Sequence, residues 1–257
     1  MGRLLLIPGI VLIVAAVWFA WPHLRVRIPD DFQKLDGTAR VARARANREA
    51  VIRGKYRAAG VRYPGEIFIR WFKQEAALEL WARNGAEPFR KIATWPILAS
   101  SGDPGPKRRE GDRQVPEGFY EIERFNPESL YHLSLGLNYP NASDRLLGDR
   151  EAPGSDIFIH GKEVTIGCAP IGDAAIEELY VAALDARAAG QGTIAVHIFP
   201  ARMSGSEWKR FAAHATERCP DLAAFWQQLQ PAFEAFERQR KVPAVSVGDD
   251  GRYLFPP

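Results

Sequence analysis

The residue types most able to do covalent chemistry sit close together in Ser155-Asp156-Ile157-Phe158-Ile159-His160-Gly161-Lys162-Glu163-Val164-Thr165-Ile166-Gly167-Cys168. A free thiol is only a few per cent thiolate near neutral pH, so a cysteine nucleophile needs a base beside it. His160 and Cys168 are eight positions apart across a loop, a spacing that lets an imidazole reach the sulfur. The pattern suits acyl transfer, with Cys168 as nucleophile and His160 taking the thiol proton and returning it to the departing amine. The backbone N–H groups of Gly167 and Cys168 are the natural donors to an oxyanion, because consecutive amides in a tight turn point the same way. Glycine at 167 lets the backbone come close to a substrate carbonyl. Thr165 either hydrogen-bonds within the loop or simply holds its turn.

Zinc is the structural rival, since His160, Cys168, His197, His214 and Cys219 are the right residue types. No Cys-x-x-Cys or His-x-x-x-His pair exists, and His214 and Cys219 are off a common helix face. No metal and no cofactor is therefore expected; thiol and imidazole carry the chemistry themselves. A disulfide between the two cysteines would silence the nucleophile, so both are expected free. Cys219 reads as a small residue near a helix start.

Elements that deliver these groups follow from the patterning. Ile157–His160 is a short apolar run consistent with a central strand ending in histidine. Ile67, Ile69 and Trp71 alternate with Phe68, Arg70 and Phe72, and Leu78 and Leu80 repeat the period of two. Further strands are expected over 89–94, 118–124, 131–135 and 193–199, placing His132 and His197 on strands. Asp173 is a plausible N-cap for a helix over 174–189 closed by Gly190. Two more helices fit 204–216 and 221–240, and Asp249-Asp250-Gly251 suggests a terminal hairpin. Thr38–Ala59 reads as a basic helix, with arginines spread all round it as on a solvated spacer.

Bulk composition is that of a globular protein, with 46% hydrophobic and 25% charged residues among 257 and a net charge of +3. The basic residues lie beside acidic ones without aromatic interleaving, which excludes a nucleic-acid groove. Leu4–Trp21 is unbroken by charge and about 18 residues long, near the length that crosses a bilayer. Trp18 and Ala20 make a poor cleavage site, so an uncleaved anchor is favoured over a removed signal. The expected organisation is a membrane anchor or signal over 1–22, a basic linker helix over 23–62, a catalytic domain over 63–205, and a helical extension with a terminal hairpin over 206–257. Either way the remainder is expected to be exported; Arg25 and Arg27 oppose Arg3, so the catalytic assignment rather than flanking charge sets it on the periplasmic side of a cell envelope, anchored in the inner membrane or, if the signal is cleaved, released.

Several ordered motifs resemble the L,D-transpeptidase catalytic domain family of the YkuD type. Its strand-borne His-Gly pair and Ser/Thr-x-Gly-Cys run are matched by His160, Gly161, Thr165, Gly167 and Cys168. Gly111-Asp112 followed by Pro116-Glu117-Gly118-Phe119-Tyr120 is similar to the family's Gly-Asp…Pro-x-Gly-x-Tyr motif. The runs Phe125-Asn126-Pro127, His132–Leu135, Asn138–Asn141, Asp173–Tyr180 and Val196–Pro200 resemble its YafK-like branch, so that about residues 64–205 are covered. The resemblance implies an α+β fold, mostly β, a mixed β-sandwich-like domain with flanking helices behind the N-terminal membrane helix. It also implies that the Gly161 carbonyl orients His160 as a backbone third member of a triad, with His132 as near-site support. The implied substrates are peptidoglycan stem peptides, in cell-wall cross-linking or remodelling through a Cys168 acyl-enzyme. Hydrolytic release of a murein-linked lipoprotein or cross-link is the alternative, and a degenerate murein-binding domain a third. Ile166 replaces a histidine common in the family, and Ala169-Pro170 stand where it often has arginine.

Overall fold

A computed structural model describes residues 35–255 of the chain. The expected anchor over 1–22 lies outside the described residues. No helix among the described residues is long and apolar enough to cross a membrane.

Residues from Asp36 onward form one compact unit. Its helices are α1 (Gly37–Ala58), α2 (Ala142–Leu147), α3 (Asp173–Ala188), α4 (Gly205–Arg218) and α5 (Asp221–Gln239). Eight strands, β1 (Glu66–Phe72), β2 (Ala77–Arg83), β3 (Arg90–Pro96), β4 (Gly118–Asn126), β5 (Ser134–Leu137), β6 (Phe158–His160), β7 (Ala169–Pro170) and β8 (Ala195–Phe199), make one sheet. A separate small hairpin joins β9 (Ser246–Val247) to β10 (Tyr253–Leu254). Strand order in the large sheet is β3-β2-β1-β8-β4-β5-β6-β7, parallel only at β1–β8 and β6–β7.

The fold is α+β with one large sheet and flanking helices, as the motifs imply, but the expectation of a mostly β body is corrected. More described residues lie in helices than in strands. Helices pack on both faces of β1. The alternation along β1 shows why. Ile67, Ile69 and Trp71 enter one core with Leu179, Tyr180 and Ala183 of α3, while Phe72 enters another with Trp226, Leu229 and Phe233 of α5. A strand apolar on both sides needs cover on both sides.

Helix α1 differs from the solvated spacer its arginines suggested. Ala44, Ile52 and Tyr56 are buried, and its basic residues face the acidic side of α3. Arg45 and Tyr63 bind Asp185, Lys55 binds Glu178, and Asn47 reaches Glu177. Ten residues of α3, among them Glu177 and Glu178, are thereby buried between sheet and helix. Charge spacing alone could not reveal this, because the partners lie more than a hundred residues away.

Asp173 does not cap α3: the N-cap is Gly172, and the Asp173 carboxylate accepts from the backbone N–H and the ammonium of Lys162. The sequence reading missed α2, although Asn141 and Asp144 form a reciprocal capping box at its start.

On the α5 side, Lys73 Nζ donates to Gly105 O at 2.7 Å, Val115 O at 3.0 Å and Glu117 Oε1 at 2.7 Å. Trp226 Nε1 donates to Glu117 Oε2 at 2.7 Å. This buried knot ties the long 97–117 connection to β1 and to α5, and that connection forms one wall of the candidate site.

Candidate active site

Strand β6 sits near the edge of the sheet, antiparallel to β5 and parallel to the short β7. Ile159 points into the main core, so its neighbours Phe158 and His160 point to the opposite face. The register pairs Ile159 with Ala169 and His160 with Pro170. Carried back one step, it sets Cys168 opposite Phe158. Cys168 and His160 therefore share a sheet face in diagonal positions, at a Cα spacing of about 7–8 Å for such neighbours.

His160 is buried, and its Nδ1–H donates to the Gly161 carbonyl at 2.5 Å. That bond leaves Nε2 as the lone-pair nitrogen. Burial lowers the imidazole's pKa below its ordinary value, and the Gly161 carbonyl opposes this by favouring the protonated ring. Gly161 has no room for a side chain. A Cβ there would lie 2.6 Å from Asp173 Oδ1, 2.8 Å from His132 Cβ and 2.8 Å from Tyr131 O.

The Cys168 thiol is part-exposed and free of any disulfide, as is Cys219. Sγ accepts from Phe158 N at 3.4 Å and lies 3.5 Å from the Asp156 carbonyl oxygen. His160 is not among its hydrogen-bond partners. Burial raises the thiol's pKa; the Phe158 N–H works against this, the Asp156 charge adds to it, and Lys107 lowers it. In the resting site, then, both groups are pushed towards their neutral forms rather than towards a thiolate–imidazolium pair.

Thr165 hydrogen-bonds within the loop. Its hydroxyl accepts from Cys168 N at 2.7 Å and Gly167 N at 3.2 Å, and donates to Cys168 O at 2.8 Å. The two amides expected to face an oxyanion are thus engaged by Thr165 in this conformation. Gly167 has φ +125, and a Cβ on it would meet Gln114 O at 3.0 Å, so glycine is required twice over.

Gln114 belongs to a loop organised by Asp112. That carboxylate accepts from the N–H groups of Arg108, Arg109 and Gln114 and from Lys107 Nζ at 2.6 Å. Burial works to raise its pKa, yet Lys107 and these N–H groups hold it below the usual carboxylate range. The Gly111-Asp112 motif therefore builds the wall against which Gly167 and Cys168 lie.

His132 is on a loop rather than a strand, at φ +75, and its Nε2–H donates to Glu177 Oε1 at 2.8 Å. His197 does lie on β8, packed among the rings of Phe68 and Phe119, where burial drives its pKa down to about 3. Two neighbours of the site were not foreseen. Tyr131 lays its ring against His160 at 4.7 Å between centroids and 38° between planes, and the Lys107–Asp112 pair underlies the cysteine loop. Tyr131 carries no periodicity signal; only its place beside His132 hinted at it. No group of three His, Cys, Asp or Glu among the described residues could hold a metal ion.

Comparison with known proteins agrees with the motifs. Residues 67–198 match the YkuD family, the L,D-transpeptidase catalytic domain. A protein of Escherichia coli (strain K12) named "Putative L,D-transpeptidase YafK" is 37% identical over 190 residues, 73% of each chain. Among solved structures, the helical cell shape determining protein Pgp2 of Campylobacter jejuni is 18% identical, with a TM-score of 0.43 over 72% of this chain and 73% of that one. Bd1075 of Bdellovibrio bacteriovorus is 24% identical, with a TM-score of 0.38 over 67% and 60%. The chain belongs to the L,D-transpeptidase catalytic domain family.

Proposed function

We propose that this L,D-transpeptidase family member is a cysteine acyltransferase of the cell envelope acting on peptidoglycan stem peptides. Cys168 Sγ attacks the carbonyl of the residue preceding a terminal D-alanine, and the thiol proton passes to His160 Nε2. The tetrahedral species collapses, D-alanine leaves with that proton on its amine, and a thioester remains on Cys168. An acceptor amine then attacks the thioester, gives its proton to His160, and departs as a new amide while the thiol is restored. Gly167 and Cys168 N–H stabilise the oxyanion once Thr165 Oγ1 releases them.

The observation that supports this most is the His160 arrangement. Its Nδ1–H is committed to Gly161 O at 2.5 Å, which leaves Nε2 as a base on the sheet face shared with Cys168. His132 supports the site at one remove, through the loop that packs on Gly161. The enzyme works on the periplasmic side, held to the inner membrane by residues 1–22 or released after cleavage. Water as acceptor gives the second reading, hydrolysis that frees a murein-linked lipoprotein or cross-link; the part-exposed Cys168 leaves a thioester open to water.

The test is purified murein incubated with the full chain and with Cys168→Ala, then digested to muropeptides. New cross-links, or loss of existing linkages, with the wild type alone support acyl transfer. An unchanged muropeptide profile for both proteins rejects it.

A further inference from the structure

The connection from β4 to β5, residues 127–133, touches the candidate base on one side and the N-terminal helix on the other. On the site side, the Tyr131 ring lies tilted against His160, and the backbone of Tyr131 and Cβ of His132 close off Gly161. On the helix side, Arg40 of α1 reaches into the loop. Its Nη1 donates to Ser129 O at 2.9 Å, Pro127 O at 3.3 Å and His132 O at 3.4 Å. Gly37, in the first turn of α1, lies so close that a Cβ would stand 2.8 Å from Pro127 Cγ.

The loop is short of other regular support. Ser129 Oγ accepts from Tyr131 N at 3.1 Å, and Asn126 Oδ1 accepts from Glu128 N at 3.0 Å. His132 holds a left-handed backbone at φ +75, a conformation a non-glycine residue keeps only when its surroundings over-determine it. Glu177 fixes its ring and Arg40 its carbonyl. One guanidinium thus gathers three loop carbonyls, and the loop they belong to carries the aromatic ring that lies over the imidazole.

We infer that Arg40 is a positioning residue for His160, acting through the 127–133 loop by holding the Tyr131 ring on the imidazole. The inference rests on the reading of His160 as the base. The tilted Tyr131 ring restrains imidazole rotation, so that Nδ1–H stays on Gly161 O, and it keeps water from one face.

The experiment uses the full chain with Arg40→Met, Arg40→Lys and Tyr131→Ala. Two quantities are read: the His160 titration by NMR of labelled histidine, and the rate of Cys168 acylation by a carbapenem-like probe followed by intact mass. Opening the loop admits water to His160, so its pKa rises towards the ordinary value of about 6.5 in Arg40→Met and Tyr131→Ala. The ionisable neighbours Cys168, Lys162 and Asp173 are untouched by these changes. Acylation slows about tenfold at saturating probe with half-saturation little changed, the signature of lost orientation rather than lost binding. Arg40→Lys, which keeps a cation and donors, restores most of both.

An unmoved His160 titration in folded Arg40→Met and Tyr131→Ala overturns the inference. Should Arg40→Met fail to fold, Arg40→Gln takes its place in the same two measurements, with the same reversal criterion. The titration needs no turnover, so a wild type that never acylates defeats the proposed function while leaving this test intact.

Discussion

Cys168 is predicted to be a protonated thiol at neutral pH, deprotonated only in the act of attack. Around Sγ burial dominates; the Phe158 N–H at 3.4 Å and the Lys107 charge favour the thiolate, while the Asp156 charge and its carbonyl oxygen at 3.5 Å oppose it. An ordinary thiol near 8.5 is about 3% thiolate at pH 7, and each unit of upward displacement costs a further tenfold. Burial displaces Cys168 upward and His160 downward, so little ion pair forms between them. In a Cys219→Ser background, alkylation of Cys168 by iodoacetamide should climb about tenfold per pH unit through neutrality, as expected of a group titrating above 8.5. His160→Gln should leave that alkylation within about threefold, because no ion pair is lost, while slowing enzymatic acylation by about 10²–10⁴-fold as general base catalysis disappears. The acid limb of acylation should lie below about pH 6.5, since protonating a base of lowered pKa takes more acid. Alkylation that plateaus below pH 7, and collapses in His160→Gln, would refute the neutral-pair reasoning and replace it with a preformed thiolate.

Gly161→Ala must push its new methyl against Asp173, His132 and the Tyr131 carbonyl at 2.6–2.8 Å. A loss of about 1–3 kcal/mol in denaturant unfolding is expected from the overpacking, with acylation down about a hundredfold as the His160 partner shifts; normal acylation would show that the carbonyl does not orient the base. Lys73→Met strands the fully buried Glu117 and should cost about 3–5 kcal/mol in urea unfolding, with Lys73→Met/Glu117→Gln recovering part of it; an equal or larger loss in the double variant counts against the buried pair. Asp144 has its pKa raised to about 6, first by burial, so the folded state holds its proton more tightly than the unfolded chain does. Its contribution is therefore greatest below the unfolded value of about 3.9 and is lost as pH rises to about 6, by roughly 3 kcal/mol. The stability advantage of wild type over Asp144→Asn should shrink by that amount between pH 4 and pH 7 in parallel unfolding curves; a constant difference contradicts the assignment.

What could be read from the sequence was what is local. The 155–168 stretch stood out as a candidate site because strand, loop, histidine and cysteine are contiguous, and the β1 alternation showed both faces because its period is intrinsic to the strand. Helix α5 was legible from the spacing of Leu222, Phe225, Trp226, Leu229, Phe233 and Phe236, all now buried. Long-range arrangements were not legible. The docking of α1 depends on Asp185 and Glu178, and the three carbonyls captured by Arg40 are roughly ninety residues from it. The sequence leaves Thr165 between hydrogen-bonding within the loop and simply holding its turn; that its hydroxyl takes both Gly167 and Cys168 N–H is a matter of backbone path rather than residue type. His132 reads as a strand residue by neighbourhood, and only its left-handed backbone, tied down by Glu177 and Arg40, puts it in the loop over Gly161.

The most direct measurement is peptide mapping of the full chain quenched in acid during reaction with tetrapeptide-rich murein. A stem-peptide adduct on the peptide carrying Cys168, absent in Cys168→Ala and much depleted in His160→Gln, is the predicted result. An adduct on Cys219 or elsewhere, or turnover undiminished in Cys168→Ala, would contradict it.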